Sequence, residues 1–127
     1  MVSFEELILG TGSPIYLQII RYLKQQMVAG VVKDGDEMPS RRVLSARLGV
    51  NPNTIQKAYR MLEEEGLICS HAGAKSYVSL DDARMALIRR QLLQSEAQNL
   101  VDAMKQMGVT CQEAMQLIEQ LWKEDME

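Results

Sequence analysis

The sequence predicts a mainly helical fold carrying one small β-hairpin, and three observations predict it. Apolar residues recur at helical spacing through most of the 127 residues. Strand-like runs are confined to residues 67–70 and 76–79. Ser-Pro and Asn-Pro steps open periodic segments, and single glycines close them.

Residues 1–12 (MVSFEELILGTG) read as an extended, loosely held segment ending in a Gly-rich turn. Ser13-Pro14 supplies a helix start, a hydroxyl cap followed by Pro at the first helical position. Ile15, Ile19, Leu23 and Met27 then recur every four residues, flanked by Tyr16 and Ile20, so one face is apolar. Gly30 ends this helix, and VVKDGDEMP follows as a loop with Asp34-Gly35 as its turn signal.

Residues 39–68 (PSRRVLSARLGVNPNTIQKAYRMLEEEGLI) read as two short helices joined by a tight turn, the unit that places one helix in a DNA major groove. Ser40 caps the first of them, whose inward side would carry Val43, Leu44 and Leu48, and Gly49 stops it. Asn51 caps the second, with Pro52 pre-set for its first turn. Ile55, Ala58, Tyr59 and Leu62 form its inward stripe, and Gly66 ends it. Cationic side chains are expected on the solvent side, with no acid before Glu63. Residues 67–70 and 76–79 pair around His71-Ala72-Gly73-Ala74-Lys75 as a wing. Helix, helix, helix, hairpin is the order of a winged helix-turn-helix, assigned here to residues 1–80.

Leu80-Asp81-Asp82 marks a boundary, and residues 81–127 read as a helical tail. Residues 82–107 form one long helical pattern in which Leu93, Ala97, Leu100, Met104 and Met107 make a heptad-like seam, with Met85, Ile88 and Leu92 on a neighbouring line. Gly108 breaks the pattern, Thr110 and Glu113 match a capping box, and Ala114, Leu117, Ile118, Leu121 and Trp122 give the last helix its stripe. Such a helix pair can hide one stripe internally; the other lines need a second copy of the chain. The tail is therefore read as a dimerisation element.

Bulk composition narrows the function. There is no apolar run near the ~20 residues that span a bilayer and no signal-peptide pattern at the start, so a cytoplasmic protein without membrane contact is expected. Cys69 and Cys111 lie far apart, with no CxxC and no Cys/His cluster, which leaves no disulfide framework, metal site or cofactor in view. His71 is the single histidine, and no acid/base pair accompanies it, so no catalytic residue is assigned. The net charge is -3, yet residues 1–80 carry +1 and residues 81–127 carry -4. Within residues 38–62, Arg41, Arg42, Arg47, Lys57 and Arg60 stand without an acid. Local field, not the whole-chain sum, attracts a phosphate backbone.

Arg41 and Arg42 sit in the first turn of a helix, where free backbone N–H groups also favour an anion; phosphate contact is the functional reading and a solvated basic turn the plain one. Asn53, Thr54, Gln56 and Lys57 are hydrogen-bonding side chains at the end that would enter the groove, suited to adenine edges, thymine or phosphate; exposed polar filler is the plain reading. The wing tip, His71 to Lys75, offers two readings: an approach to the adjacent minor groove or its phosphates led by Lys75, and a plain exposed turn. The rival reading is a winged helix used for protein–protein assembly; it would want an apolar groove on the third helix, which is polar and basic instead. A small-molecule effector could sit between head and tail or at the dimer seam, near Met104, Met107 and Met115, although packing alone explains these residues as well.

In these pieces (PIYLQI at 14–19, GD at 35–36, MPSRRVLSARLGVN at 38–51, NTIQKAYRMLEEEGLI at 53–68 and GAKSYV at 73–78) the chain resembles the N-terminal domain of GntR-family bacterial transcription regulators. PIYLQI, NPNTIQKAY and the short two-helix tail resemble the YtrA-type subfamily in particular. The resemblance implies small homodimers whose tail serves dimerisation, often repressing operons for ABC transporters. It implies that Arg42 binds phosphate, that Pro52, Asn53, Thr54 and Gln56 occupy DNA-contacting positions, and that Gly73 is the wing glycine. Two departures stand out. Position 52 is Pro where many relatives carry a base-reading Arg, and the wing lacks its second Gly and shifts its base by one place.

Overall fold

The computed structural model describes residues 1–70 and 75–125. The elements are α1 (Ile15–Val28), α2 (Arg41–Leu48), α3 (Pro52–Glu64), β1 (Ile68–Ser70), β2 (Ser76–Val78), α4 (Asp82–Gln106) and α5 (Cys111–Asp125). The order is that of a winged helix-turn-helix followed by two C-terminal helices. Two compact units divide the chain, Met1–Arg89 and Arg90–Glu127, so the division falls within α4.

The first unit is organised around side chains withdrawn wholly from water: Ile19, Leu23 and Met27 of α1, Leu44 of α2, Ile55, Tyr59 and Leu62 of α3, and Leu67 beyond it. Each such aliphatic burial stabilises the fold by roughly 1.5–3 kcal/mol. The α1 stripe lies where its spacing predicts, except that Ile15 at the open end is partly exposed. Residues 1–12 differ from expectation. Val2 and Phe4 are buried in this core, Val2 N donates to Glu37 O at 2.8 Å, and the Phe4 ring lies 5.6 Å from Tyr22. Val2 and Phe4, with Leu7 packed against the same core, dock the segment.

Ser13 does not cap α1. The cap position is Pro14, and no side chain bonds to the helix end there. Gln18 instead reaches back, its Oε1 accepting from Gly10 N at 2.8 Å and its Nε2 donating to Gly10 O and Ser13 O at 3.0 and 2.9 Å. A side chain four residues into the helix thus fixes the incoming chain.

The caps of α2 and α3 match expectation. Val43 N donates to Ser40 Oγ at 3.1 Å, and Asn53 N to Asn51 Oδ1 at 2.8 Å. Gly49 closes α2 in the left-handed region at φ 67, where a Cβ would clash with its own backbone. The inward side of α2 is nevertheless rotated from the predicted one. Val43 is 39% exposed, and Ser45 takes the buried place beside Leu44. Ser45 is accommodated because its Oγ donates to Val50 O at 2.6 Å, which tightens the turn between the helices.

The β1–β2 hairpin pairs Ile68 with Val78, Cys69 with Tyr77 and Ser70 with Ser76. Residues 35–38 add a partial third strand: Gly35 N donates to Val78 O, Val78 N to Asp36 O and Met38 N to Ser76 O, each at 2.8 Å. Two strands alone are marginal in water, so this added edge matters. His71 and Gly73 lie outside the described residues. Ile88, in the second turn of α4, joins the core.

In the second unit, Glu113 N donates to Thr110 Oγ1 at 3.2 Å, so the predicted cap forms, and Gly108 takes φ 72 at the break. The expectation that the helix pair hides one stripe is not met: no side chain of α5 is buried. Leu93, Leu100, Leu117 and Leu121 are all exposed, Trp122 at 70% and Met115 at 62%. Met104 and Met115 line an apolar recess of about 200 Å³, whose walls do not include Met107. No helix among the described residues is long and apolar enough to cross a membrane.

Tyr59 ties α3 to the segment that leads into α2. Its hydroxyl donates to Pro39 O at 2.6 Å, and burial pushes the phenol far above its usual range against the opposing pull of Arg41. Tyr59→Phe keeps the ring but leaves the Pro39 carbonyl without this donor. A loss of about 1–2 kcal/mol is expected, read as a lower urea midpoint at unchanged m-value.

Candidate nucleic-acid interface

Burial of Ile55, Ala58, Tyr59 and Leu62 sets the rotational phase of α3. With 3.6 residues per turn, the opposite face must then carry Asn53, Gln56, Lys57 and Arg60, and all four are exposed. Pro52 is exposed at the first helical position, and Thr54 is half-buried at the edge of the face. Neither α2 nor α3 has an acid in its first turn. The surface is therefore polar and basic at the N-terminal end of α3. It ends at Glu64, which is exposed on the same side.

The predicted cations divide into two kinds. Arg42 is exposed in the first turn of α2 and has no ion pair among the described residues. Lys75 is exposed beside β2, its Nζ 3.5 Å from a Glu37 carboxylate oxygen. Lys57 reaches sideways instead of straight out, its Nζ 4.0 Å from the centroid of the Tyr16 ring of α1. A cation over a ring face at this distance is worth roughly 0.5–1 kcal/mol at an exposed site, enough to bias the side chain without trapping it.

Arg41 departs most from the sequence reading, which put every cation on the solvent side. Its Nη2 donates to Glu63 Oε1 at 2.7 Å, and the guanidinium carbon stands 4.8 Å from the Tyr59 ring centroid. Its Nε is buried without a partner. Arg41 is thus turned inward along α3, while its neighbour Arg42 points to solvent. The Glu63-Glu64-Glu65 run is likewise not a uniformly solvated helix end. Glu63 holds Arg41 and Ser70, and Glu65 pairs with Lys24 of α1 at 3.0 Å.

Two residues on this surface escaped assignment from sequence. Arg60 continues the row of Asn53 and Lys57 at the same 4-and-3 spacing that marks a helix face, so a signal for it was present. Tyr16 had none, because it meets Lys57 only through the packing of α1 on α3.

Comparisons with known proteins agree with this geometry. A family model described as bacterial regulatory proteins, gntR family, matches residues 15–78. The HTH-type transcriptional repressor YtrA of Bacillus subtilis (strain 168) is 40% identical over 90 residues, covering 66% of this chain and 69% of that protein. A GntR family transcriptional regulator from Listeria monocytogenes superposes with a TM-score of 0.78 at 29% identity, over 88% of this chain and 98% of the other. The DNA-binding domain of AraR, solved in complex with operator ORX1, matches at a TM-score of 0.50 and 27% identity, over 57% of this chain and 93% of the other. With an exposed basic face on α3 and a paired β1–β2 hairpin, this chain belongs to the gntR family of bacterial regulatory proteins and is a winged-helix, DNA-binding transcriptional regulator, not an enzyme.

Proposed function

We propose that this regulator is a homodimeric repressor that acts in the cytoplasm on a palindromic operator, with half-sites about one helical turn apart (~34 Å). The observation that carries the reading is the exposed row Asn53, Gln56, Lys57 and Arg60 on α3, flanked by exposed Arg42. In this reading Arg42, Lys57 and Lys75 meet phosphates, while Asn53, Gln56 and Thr54 face base edges from the first turns of α3. Pro52 sets the entry angle of that helix and contributes no base-reading hydrogen bond, since its ring carries no donor. Gly73 is included on the strength of the family resemblance, as the wing glycine. Arg41 is left out of the contact set because Glu63 already holds it. The operon of an ABC transporter is the class of target that likeness to YtrA-type repressors supports.

Dimerisation is supported by the exposed apolar side chains of the second unit. Leu100, Leu121 and Trp122 border one open apolar groove, and exposure on this scale in one short helix pair is unusual for a surface facing only water.

Two experiments test the reading. Selection from a random-sequence duplex library should yield an inverted repeat. Arg42→Ala should then weaken binding to every duplex and lower the log–log salt slope by about 0.9 per protomer. Gln56→Ala or Asn53→Ala should instead shrink the preference for the selected duplex over a scrambled one, by roughly tenfold for one good base contact. Wild-type protein that binds scrambled and selected duplexes equally would remove the sequence-reading role. Separately, Leu100→Glu with Leu121→Glu should sediment as a monomer and lose most operator affinity. A wild-type chain that sediments as a monomer while fully bound to the inverted repeat would remove the dimer.

A further inference from the structure

The wing reaches the rest of the first unit by two different routes. β2 is sewn by backbone hydrogen bonds to residues 35–38. β1 leaves α3 through the Gly66 turn, and only its first residue, Ile68, is buried; Cys69 and Ser70 are exposed. At the far end of β1, side chains take over from backbone. Ser70 Oγ donates to Glu63 Oε1 at 2.9 Å and lies 3.0 Å from Ser76 Oγ across the hairpin.

The oxygen that receives Ser70 also receives Arg41 Nη2, at 2.7 Å. One carboxylate oxygen on the last turn of α3 therefore gathers α2 and β1 to the helix that carries the basic row. The ion pair itself stabilises little: the Arg41 and Glu63 side chains keep 30% and 35% of their accessibility, and screened pairs of this kind contribute at most about 1 kcal/mol. Its value is directional. Arg41 is oriented by the Tyr59 ring on one side and Glu63 on the other, so Glu63 is held in a single place from which to meet Ser70.

We infer that Glu63 is a positioning residue for the wing. Held by Arg41 and bonded to Ser70, it fixes the height of β1 along α3, and through the Ser70–Ser76 pair it places Lys75, the residue just before Ser76, relative to the α3 surface. Glu63 touches no DNA in this arrangement; it acts through Lys75. The inference rests on the reading of Lys75 as a phosphate contact, and it removes the ordering of the wing from the free-energy cost of association.

Ser70→Ala tests it with least disturbance, because it cuts the leg to the wing and leaves Arg41 paired. On the selected duplex, Ser70→Ala and Lys75→Ala should each weaken binding about threefold to tenfold. The double variant should lose no more than the worse single one, because both changes remove one effect. Glu63→Gln should couple to Lys75→Ala in the same way. In the free protein, Ser70→Ala should speed amide hydrogen exchange in β1 and β2 and leave α1 unchanged. Losses that multiply in the double variant, or full affinity in Ser70→Ala, would overturn the inference. If the wild type selects no duplex, the DNA reading falls while exchange still decides: faster exchange sustains the tie, and unchanged exchange overturns it.

Discussion

Everything on the exposed basic face follows from how one helix is seated. Four side chains of α3 (Ile55, Ala58, Tyr59 and Leu62) are fully buried between α1 and α2. A helix buried along one stripe has no remaining rotational freedom, so the direction of every other side chain on it is set by packing. Asn53, Gln56, Lys57 and Arg60 are presented outward because their neighbours are held inward. Tyr59 adds a polar constraint to this apolar one, since its hydroxyl must find Pro39 O within the core. The beginning of α2 is thereby fixed against α3, and the angle between the two helices is set by one buried hydrogen bond as well as by volume.

The electrostatics are organised on the same frame. A chain of net charge -3 presents basic groups where two helix starts lie, because its acids are placed elsewhere or used internally. Glu63 and Glu65 neutralise Arg41 and Lys24 within the fold, and Glu37 faces Lys75. Arg42, Lys57 and Arg60 are thus left exposed without an ion pair among the described residues, and they define the field at the surface. Single-sign surfaces of this kind act over about a Debye length, ~8 Å at physiological salt, so only charges near the α3 row matter for a phosphate backbone.

Much of the fold could be read from sequence, because its signals are local. Ser40, Asn51-Pro52 and Gly49 each act within a few residues, and α2 begins and ends, and α3 begins, where those residues predict. The α3 stripe was equally legible, since a 13-residue helix repeats its period three times. An eight-residue α2 repeats it barely twice, and Val43 was accordingly given the wrong side. Ser13 failed as a cap because Gln18, a residue with no local cue, closes that end. The interior use of Arg41 was hidden for another reason: its partner Glu63 is 22 residues away, and nothing in a basic dipeptide tells which member turns inward. Val2 and Phe4 likewise depend on a surface made by distant residues.

The open faces of α5 carry a thermodynamic consequence. A helix of fifteen residues with nothing buried has almost no tertiary packing to sustain it, and isolated helices of that length are marginal in water. Whatever covers Leu117, Leu121 and Trp122 must therefore supply the ordering free energy of the helix as it docks. In the proposed dimer, order and association would become one equilibrium in this part of the chain, governed by mass action. Its melting temperature should track the abundance of the covering surface, so cellular copy number acts on this segment as a thermodynamic variable.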